Sequence, residues 1–296
     1  MATVQDLKRR IRSVRNTRKI TKAMELVASA RLRRAQARIE AMRPYANRMQ
    51  ELMAGTARVA SVRGLPLLQR REDRIVAILA LTGDRGLAGA FNAQILRQAF
   101  ALERSLVAEG RQVRWLVSGK KGASTLRFRR YEVEQAWQGF SDRPAYADAQ
   151  AIAHRLSELY VEEAIDRAVI VYNHFQSALV QRVVEQDVLP VPEQVLEAGE
   201  EEAAEIRAFV GDFIYEPEPE EILARLLPVY VETEVYRALL ESAASEQGAR
   251  MTAMRNASKN AGELIDNLTL AMNRARQAEI TQEILEVVAG ADALTA

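Results

Sequence analysis

The residues best placed to do chemistry form a glycine loop in the first half of the chain. Gly83, Gly86 and Gly89 follow the apolar run from Arg74 to Thr82, which indicates a buried strand. A glycine loop between a strand and a helix can cradle phosphate groups. The spacing here is GxxGxxG rather than GxGxxG, and glycine is the default residue where a chain turns tightly into a helix. The sequence therefore favours a structural loop over a nucleotide site.

Other candidates for catalytic or metal chemistry are weaker still. A second predicted strand, from Val113 to Val117, ends before Lys120, but this lysine lacks the upstream glycine and the following Ser or Thr of a P-loop. His154 and His174 have no ligand-like spacing to carboxylates. The chain contains no cysteine, which excludes disulfides, thiol catalysis and thiolate metal sites. We therefore predict no catalytic residue, no metal and no cofactor.

Charge is distributed unevenly along the chain, although the net charge is only +1. Residues 1–50 carry fourteen Lys or Arg against three acidic residues, and residues 193–234 carry thirteen acidic residues against two arginines. Cations near a helix N-terminus oppose the helix dipole, so the basic face formed by Arg9, Arg10 and Arg12 indicates an anionic partner. Nucleic acid would suit these charges. It fits poorly with the acidic block and with an aromatic content of 6%.

A long helix is predicted at each end of the chain. Between Thr3 and about Ala57, apolar residues recur at spacings of three and four, as in a coiled coil. The same spacing returns after Pro219 and continues through Leu240, Leu264 and Leu285 to Ala289. Two such stripes can be buried against each other, so an antiparallel coiled coil is the simplest arrangement. No apolar run approaches the ~20 residues that a membrane-spanning helix needs.

The centre of the chain has a different pattern. Helical periodicity over 90–108 and 147–164 alternates with apolar runs at 74–82, 113–117, 168–172 and 179–188. Such alternation predicts a Rossmann-like α/β domain with a largely parallel sheet. The acidic run 200–202 is predicted to be a solvated loop. The resulting domains are an N-terminal helix over 1–60, a central α/β domain over 70–216 and a C-terminal helix over 217–296.

Motifs in the two terminal helices resemble one family. Asn16 to Ala28 (NTRKITKAMELVA) is similar to the N-terminal signature of F-type ATP synthase gamma subunits, and Ile280 to Ala291 (ITQEILEVVAGA) is similar to their C-terminal pattern. The stretch Thr82 to Gly89 (TGDRGLAG) resembles the central glycine loop of the family, with Gly83 inserted and Ala88 where cysteine is frequent. Ser245-Glu246 and Arg250-Met251 also fit. The resemblance covers the whole chain.

This resemblance implies a non-catalytic rotor subunit in the central stalk of a proton-translocating ATP synthase. It implies alpha, beta and epsilon subunits and the c-ring as partners, with no nucleic acid and no direct membrane insertion. The location would be peripheral, at the cytoplasmic face of a bacterial plasma membrane. In the resemblance, the residues that contact beta subunits correspond to Arg276, Gln277, Thr281 and Met24. The residues that form an apical bearing correspond to Ile284, Leu285, Val288 and Leu294.

Two other classes of function remain open at this point. A coiled-coil adaptor of unrelated function would show no preference for ATPase subunits as partners. A nucleic-acid-binding protein would bind DNA or RNA with a steep dependence on salt.

Overall fold

The computed structural model describes residues 3–57, 60, 64–178, 180–192 and 217–295, with side chains as far as residue 290. The helices are α1 (Val4–Ala57), α2 (Phe91–Ala108), α3 (Lys120–Phe128), α4 (Tyr146–Val161) and α5 (Pro219–Thr295). The strands are β1 (Ile75–Leu81), β2 (Gln112–Ser118), β3 (Val133–Trp137), β4 (Arg167–Phe175) and β5 (Gln181–Leu189). A short 3₁₀ helix covers Pro66–Leu68.

The chain divides into two compact units. One consists of Met1–Ala28 with Met251–Ala296, and the other of Ser29–Arg250. Both long helices therefore contribute to both units. The three-part domain division predicted from the sequence remains a prediction, and the acidic run 200–202 lies outside the described residues.

The larger unit is built on a five-stranded sheet in the order β3-β2-β1-β4-β5. The first four strands are parallel, and β5 pairs with β4 in the antiparallel sense. Alternate residues of β1 enter separate apolar clusters: Val76 and Ile78 on one face, Ala77 and Leu79 on the other. Burial of both faces explains the continuous apolar run, as expected for a parallel sheet covered by helices. The predicted α/β fold is thus confirmed.

Different helices cover the two faces of the sheet. One face packs against α2 and α3, through residues such as Ile95 and Leu126. The other face packs against α4 and the first turns of α5, where Leu156, Leu223 and Val231 are all fully buried. The beginning of α5 is therefore part of the core of this unit.

The sequence missed β3 and α3. Strand β3 is an edge strand whose three central residues, Glu134 to Ala136, are exposed, so it lacks the apolar pattern of the other strands. Helix α3 begins immediately after Gly119, whose φ of 95° turns the chain directly out of β2. Because α3 has only nine residues and follows β2 almost directly, its apolar periodicity is too short to detect.

In the smaller unit, α1 and α5 run antiparallel. Nε of Arg255 donates to Oε1 of Glu25 at 3.1 Å, and the guanidinium of Arg18 lies 3.5 Å from the Cβ position of Gly262. From Glu25 to Arg18 the chain moves seven residues toward the N-terminus of α1, and from Arg255 to Gly262 it moves seven residues toward the C-terminus of α5. Continuing this register places Val4, where α1 begins, level with Arg276. The predicted antiparallel pairing of the terminal helices is confirmed here.

The buried stripe of α5 departs from the predicted one after Ala261. Leu264 was expected in the seam but is 46% exposed, whereas Ile265 is 8% exposed. A straight α-helix drifts by about 20° per heptad relative to a strict 3.5-residue repeat. The contact line therefore moves by one residue, and the seam prediction at Leu264 is wrong.

In the larger unit, the second half of α1 also lies alongside α5. Ile39 and Met42 line one cavity together with Leu240, and Arg31 and Ala35 line another together with Ala243. Leu32 is 4% exposed. The apolar stripe of α1 thus faces α5 in this unit, as its spacing predicts, with Leu32 buried and Ala35, Ile39 and Met42 half-buried.

Candidate functional site

The C-terminal part of α5, from Arg276 to Gly290, is exposed on every face. In the part of the smaller unit that the structure describes, α1 begins at Val4, level with Arg276, and no other helix lies beside α5 beyond that point. The sequence nevertheless remains apolar on part of this segment, with Ile284 57% exposed and Leu285 62% exposed. A surface of this kind is typical of a protein-binding site.

Three of the predicted contact residues lie at the start of this exposed segment. Arg276, Gln277 and Thr281 all have exposed side chains. Oγ1 of Thr281 donates to the carbonyl oxygen of Gln277 at 2.8 Å, so the two residues share one face of the helix. The oxygen lone pairs of Thr281 and the amide of Gln277 remain available to a partner.

The residues predicted to form an apical bearing follow further along. Val288 is 51% exposed, similar to Ile284 and Leu285. These three residues lie within about one and a half turns of the helix and form an apolar patch. Leu294 lies in the part of α5 whose side chains fall outside the description.

The basic face of α1 is exposed. Arg9, Arg10 and Arg12 all face solvent. Arg9 forms an ion pair with Asp6. The hydroxyl of Thr3 donates to the Asp6 carboxylate and accepts a hydrogen bond from the Asp6 backbone N–H. Hydrogen bonds from Thr3 hold the pKa of Asp6 below its ordinary value. This cap offsets part of the cost of placing cations at a helix N-terminus.

Met24, the fourth predicted contact residue, lies on α1, away from the exposed end of α5. Its side chain is half-buried, next to Glu25, which is 7% exposed and pairs with Lys22 and Arg255. Hydrogen bonds from Lys22 and then Arg255 hold the pKa of Glu25 below its ordinary value. Met24 is level with Arg255, about 30 Å along α5 from Arg276 at 1.5 Å per residue. The predicted contacts therefore form two separate regions.

In the larger unit, the glycine loop packs against α5. The position of a Cβ on Gly83 would lie 2.9 Å from the carboxylate of Glu246, and Nη2 of Arg250 donates to the carbonyl oxygen of Gly86 at 3.3 Å. Glu246 and Arg250 also form an ion pair with an N–O distance of 2.5 Å. A carboxylate against the loop would repel a phosphate. The loop thus holds a helix of its own chain.

Burial governs the electrostatics of this contact. Glu246 is 1% exposed, and burial raises its pKa, which Arg250 only partly offsets. Both residues belong to a stretch that resembles the family, although the resemblance implied no role for them. Their i,i+4 spacing, with Arg250 at an otherwise apolar seam position, is a signal that could have identified a buried ion pair.

Asp84 holds the glycine loop to two neighbouring segments. Its carboxylate accepts hydrogen bonds from the backbone N–H groups of Lys120, Gly139 and Ser141 at 2.9–3.1 Å. Burial by itself would raise the pKa of Asp84, but these backbone donors outweigh it and the pKa is lowered. Asp84 is therefore a structural anchor in its ionised form.

Among the described residues, no group of three or more His, Cys, Asp or Glu side chains is arranged to hold a metal ion. In the part of the chain that the structure describes, no helix has the length and apolar character needed to cross a membrane.

Comparison with known proteins gives a consistent result along the whole chain. The family profile described as ATP synthase matches residues 3–294. The ATP synthase gamma chain of Rubrobacter xylanophilus is 48% identical over 297 residues and covers all of both chains. That of Moorella thermoacetica is 45% identical over 294 residues, covering 99% of this chain and all of the relative.

Solved structures agree with the sequence relatives. A chain from the central stalk/c-ring of the Tetrahymena thermophila mitochondrial ATP synthase is 29% identical, with a TM-score of 0.59, and covers 81% of this chain and 99% of its own length. A chain from the Euglena gracilis mitochondrial ATP synthase is 17% identical, with a TM-score of 0.69 and coverages of 98% and 94%, which shows the fold alone. With a family profile and close relatives aligned over nearly every residue, the chain belongs to the family of F-type ATP synthase gamma subunits.

Proposed function

We propose that this chain, a non-catalytic rotor subunit of an F-type ATP synthase, transmits torque between the c-ring and the catalytic head. The observation that supports this most directly is the exposed end of α5, from Arg276 to Gly290. This segment buries nothing within the smaller unit, yet it keeps apolar residues and a short polar cluster. A rotating axle inside a protein socket requires such a surface, since the socket supplies the missing contacts.

The polar cluster is proposed to grip the beta subunits. Arg276 offers a planar guanidinium suited to bidentate pairing with a carboxylate. Gln277 and Thr281 lie beside it and offer neutral hydrogen-bonding groups. As the rotor turns, these contacts would favour a different conformation in each beta subunit, because a ligand shifts a population only through differential interactions. Chemistry would thus stay on the beta subunits.

The apolar patch is proposed to act as a bearing within a socket of alpha and beta subunits. Ile284, Leu285 and Val288, with Leu294 beyond them, offer non-directional contacts. Such contacts change little in energy as the axle rotates, whereas hydrogen bonds are lost steeply with angle. Specific polar contacts and non-directional apolar contacts would therefore occupy successive parts of the same helix.

The basic face is proposed to meet acidic loops of the beta subunits. Arg9, Arg10 and Arg12 supply exposed positive charge, and Met24 lies further along α1 near the same kind of loop. We propose epsilon as a further partner, with the chain peripheral at the cytoplasmic face of a bacterial plasma membrane, neither inserting into it nor binding nucleic acid. The bacterial relatives support this location.

The first experiment tests the grip. Arg276→Ala, Gln277→Ala and Thr281→Ala are each assembled into the complex, and rates of ATP synthesis and hydrolysis are measured. A charge-assisted hydrogen bond is worth about 1.5–3 kcal/mol and a neutral one about 0.5–1.5 kcal/mol. Because the Thr281 hydroxyl already donates to its own helix, we expect Arg276→Ala to lower both rates more than Thr281→Ala does.

The matched control is Arg274→Ala. Arg274 is an exposed arginine two residues earlier, about 200° around the helix from Arg276. Its replacement tests whether general loss of positive charge is sufficient. If Arg276→Ala matches wild type in both rates, with normal assembly, or if the Arg274 variant is equally impaired, the proposed grip is wrong.

The second experiment tests the anionic partner. Arg9, Arg10 and Arg12 are reversed to Glu, and we expect weaker assembly or weaker coupling of proton flow to ATP synthesis. The control reverses three exposed arginines of the larger unit, namely Arg97, Arg127 and Arg130. Submicromolar binding of the wild-type chain to duplex DNA at physiological salt would favour a nucleic-acid partner instead.

A further inference from the structure

A cavity of about 360 Å³ lies in the larger unit, between the second half of α1 and α5. Its apolar lining consists of small or compact groups, including Ala35 of α1 and Leu240 and Ala243 of α5. Pro144, just before α4, closes one side. A cavity of this size falls in the range of small-molecule sites, which begins at about 300 Å³.

Four arginines line the same cavity. Arg31, Arg34 and Arg38 are spaced by three and four residues, so they project from one face of α1. Arg143 approaches from the segment before α4. Like charges at i,i+4, as in Arg34 and Arg38, destabilise an isolated helix. A cost of this kind is offset when an anion binds among the cations.

One carboxylate lines the cavity, and it is already engaged. Oδ2 of Asp142 lies 2.7 Å from Nη1 of Arg31 and 3.3 Å from Nη1 of Arg85, and its Oδ1 accepts a hydrogen bond from Gln247. Among the described residues, Arg34, Arg38 and Arg143 have no carboxylate partner. Positive charge is thus in excess around the cavity.

We propose that this cavity, which we call the arginine cavity, binds a small phosphate-bearing anion with two or more phosphate groups. Guanidinium groups present paired N–H donors that match phosphate oxygens. Arg34, Arg38 and Arg143 would contact the phosphates, and Arg31 would stay bound to Asp142 and orient the site. The bound anion would link α1 to the segment before α4.

The concave form of the site favours a free anion over an acidic protein segment. A small anion can enter the cavity and contact arginines from both α1 and the Arg143 segment. This inference is independent of the proposed rotor function, since the site lies wholly within Ser29–Arg250 and needs no partner subunit.

The test is isothermal titration of the purified full chain with inorganic pyrophosphate at constant ionic strength. Arg34→Gln and Arg38→Gln are each expected to weaken binding by about tenfold or more, the value of one charge-assisted hydrogen bond. The matched control is Arg33→Gln, since Arg33 is a neighbouring arginine, exposed like Arg34, that does not line the cavity. The control is expected to bind as wild type does, and circular dichroism checks that each variant folds.

Parallel titrations identify the source of the phosphate groups. Inorganic phosphate should bind more weakly than pyrophosphate, and ADP shows whether a nucleoside can be accommodated beside the diphosphate. The proposal is overturned if wild type does not bind pyrophosphate, or if the Arg33 variant loses as much affinity as the other two. It is also overturned if an acidic peptide binds at the arginines while pyrophosphate does not, which would show that the cavity receives a protein segment.

Discussion

Replacing Gly83 by alanine is the sharpest test of how the glycine loop works. No positive φ is involved at this position, so a side chain is excluded by space alone. An added Cβ would lie 2.9 Å from Cδ and from both carboxylate oxygens of Glu246. Glu246 is 1% exposed and paired with Arg250, so it cannot swing away into solvent. Either the loop or α5 must move.

The expected cost follows from this crowding. Overpacking a well-packed site costs about 1–3 kcal/mol, which lowers the melting temperature by about 2–4 °C per kcal/mol for a unit of this size. Gly86→Ala is the matched control in the same loop. A Cβ there would meet only Cε of Lys121, at 3.8 Å, which is ordinary contact. Its cost should stay within about 0.5 kcal/mol.

The assay is urea unfolding followed by tryptophan fluorescence, since Trp115 and Trp137 both lie in the sheet beside the loop. A double-mutant cycle identifies the cause. In a Glu246→Ala background the obstructing carboxylate is gone, so Gly83→Ala should cost much less than in wild type. If the costs of the two changes simply add, or if Gly86→Ala is as harmful as Gly83→Ala, the steric explanation is wrong.

Three further predictions concern stability. Arg250→Ala leaves Glu246 buried without its cation and should lower the free energy of unfolding in urea by about 3–5 kcal/mol. A loss below about 1 kcal/mol would contradict the role of the buried ion pair. The folded-state pKa of Asp84 is lowered from 3.8, so its carboxylate stabilises the fold above that pH and ceases to do so as the pH falls through the lowered pKa. Asp84→Asn should thus lose about 1–3 kcal/mol at pH 7, and this loss should shrink as the pH falls through the lowered pKa; a loss that does not change with pH would refute the assignment. Ile265→Ala should cost about 2–5 kcal/mol and exposed Leu264→Ala far less, and the reverse order in thermal unfolding would restore the strict heptad.

The electrostatics of the glycine loop could not be read from spacing alone. GxxGxxG after a strand correctly indicated a structural loop, because the turn into α2 is local. The reason that Gly83 tolerates no side chain is Glu246, which lies 163 residues later in the chain. Only the packing of α5 against the loop brings the two together.

Local sequence determined the main elements of this protein. Apolar spacing of three and four residues is enough to specify the two long helices, and short runs rich in apolar residues are enough to specify β1, β2, β4 and β5, since each signal lies within a short stretch of the chain. Edge strand β3 escaped detection because its three central residues, Glu134 to Ala136, are all exposed and form no apolar run.

Tertiary structure alone decided where burial starts and stops along α5. Arg276, Gln277 and Thr281 could be selected by resemblance to a family, but their exposure depends on a different helix. Among the described residues of the smaller unit, α1 begins at Val4 and no helix lies beside α5 beyond Arg276. The choice of Ile265 over Leu264 likewise depends on the drift between 3.6 residues per turn and a 3.5-residue repeat. Sequence periodicity states which face of a helix is apolar, and only the position and length of the partner helix decide which part of that face is covered.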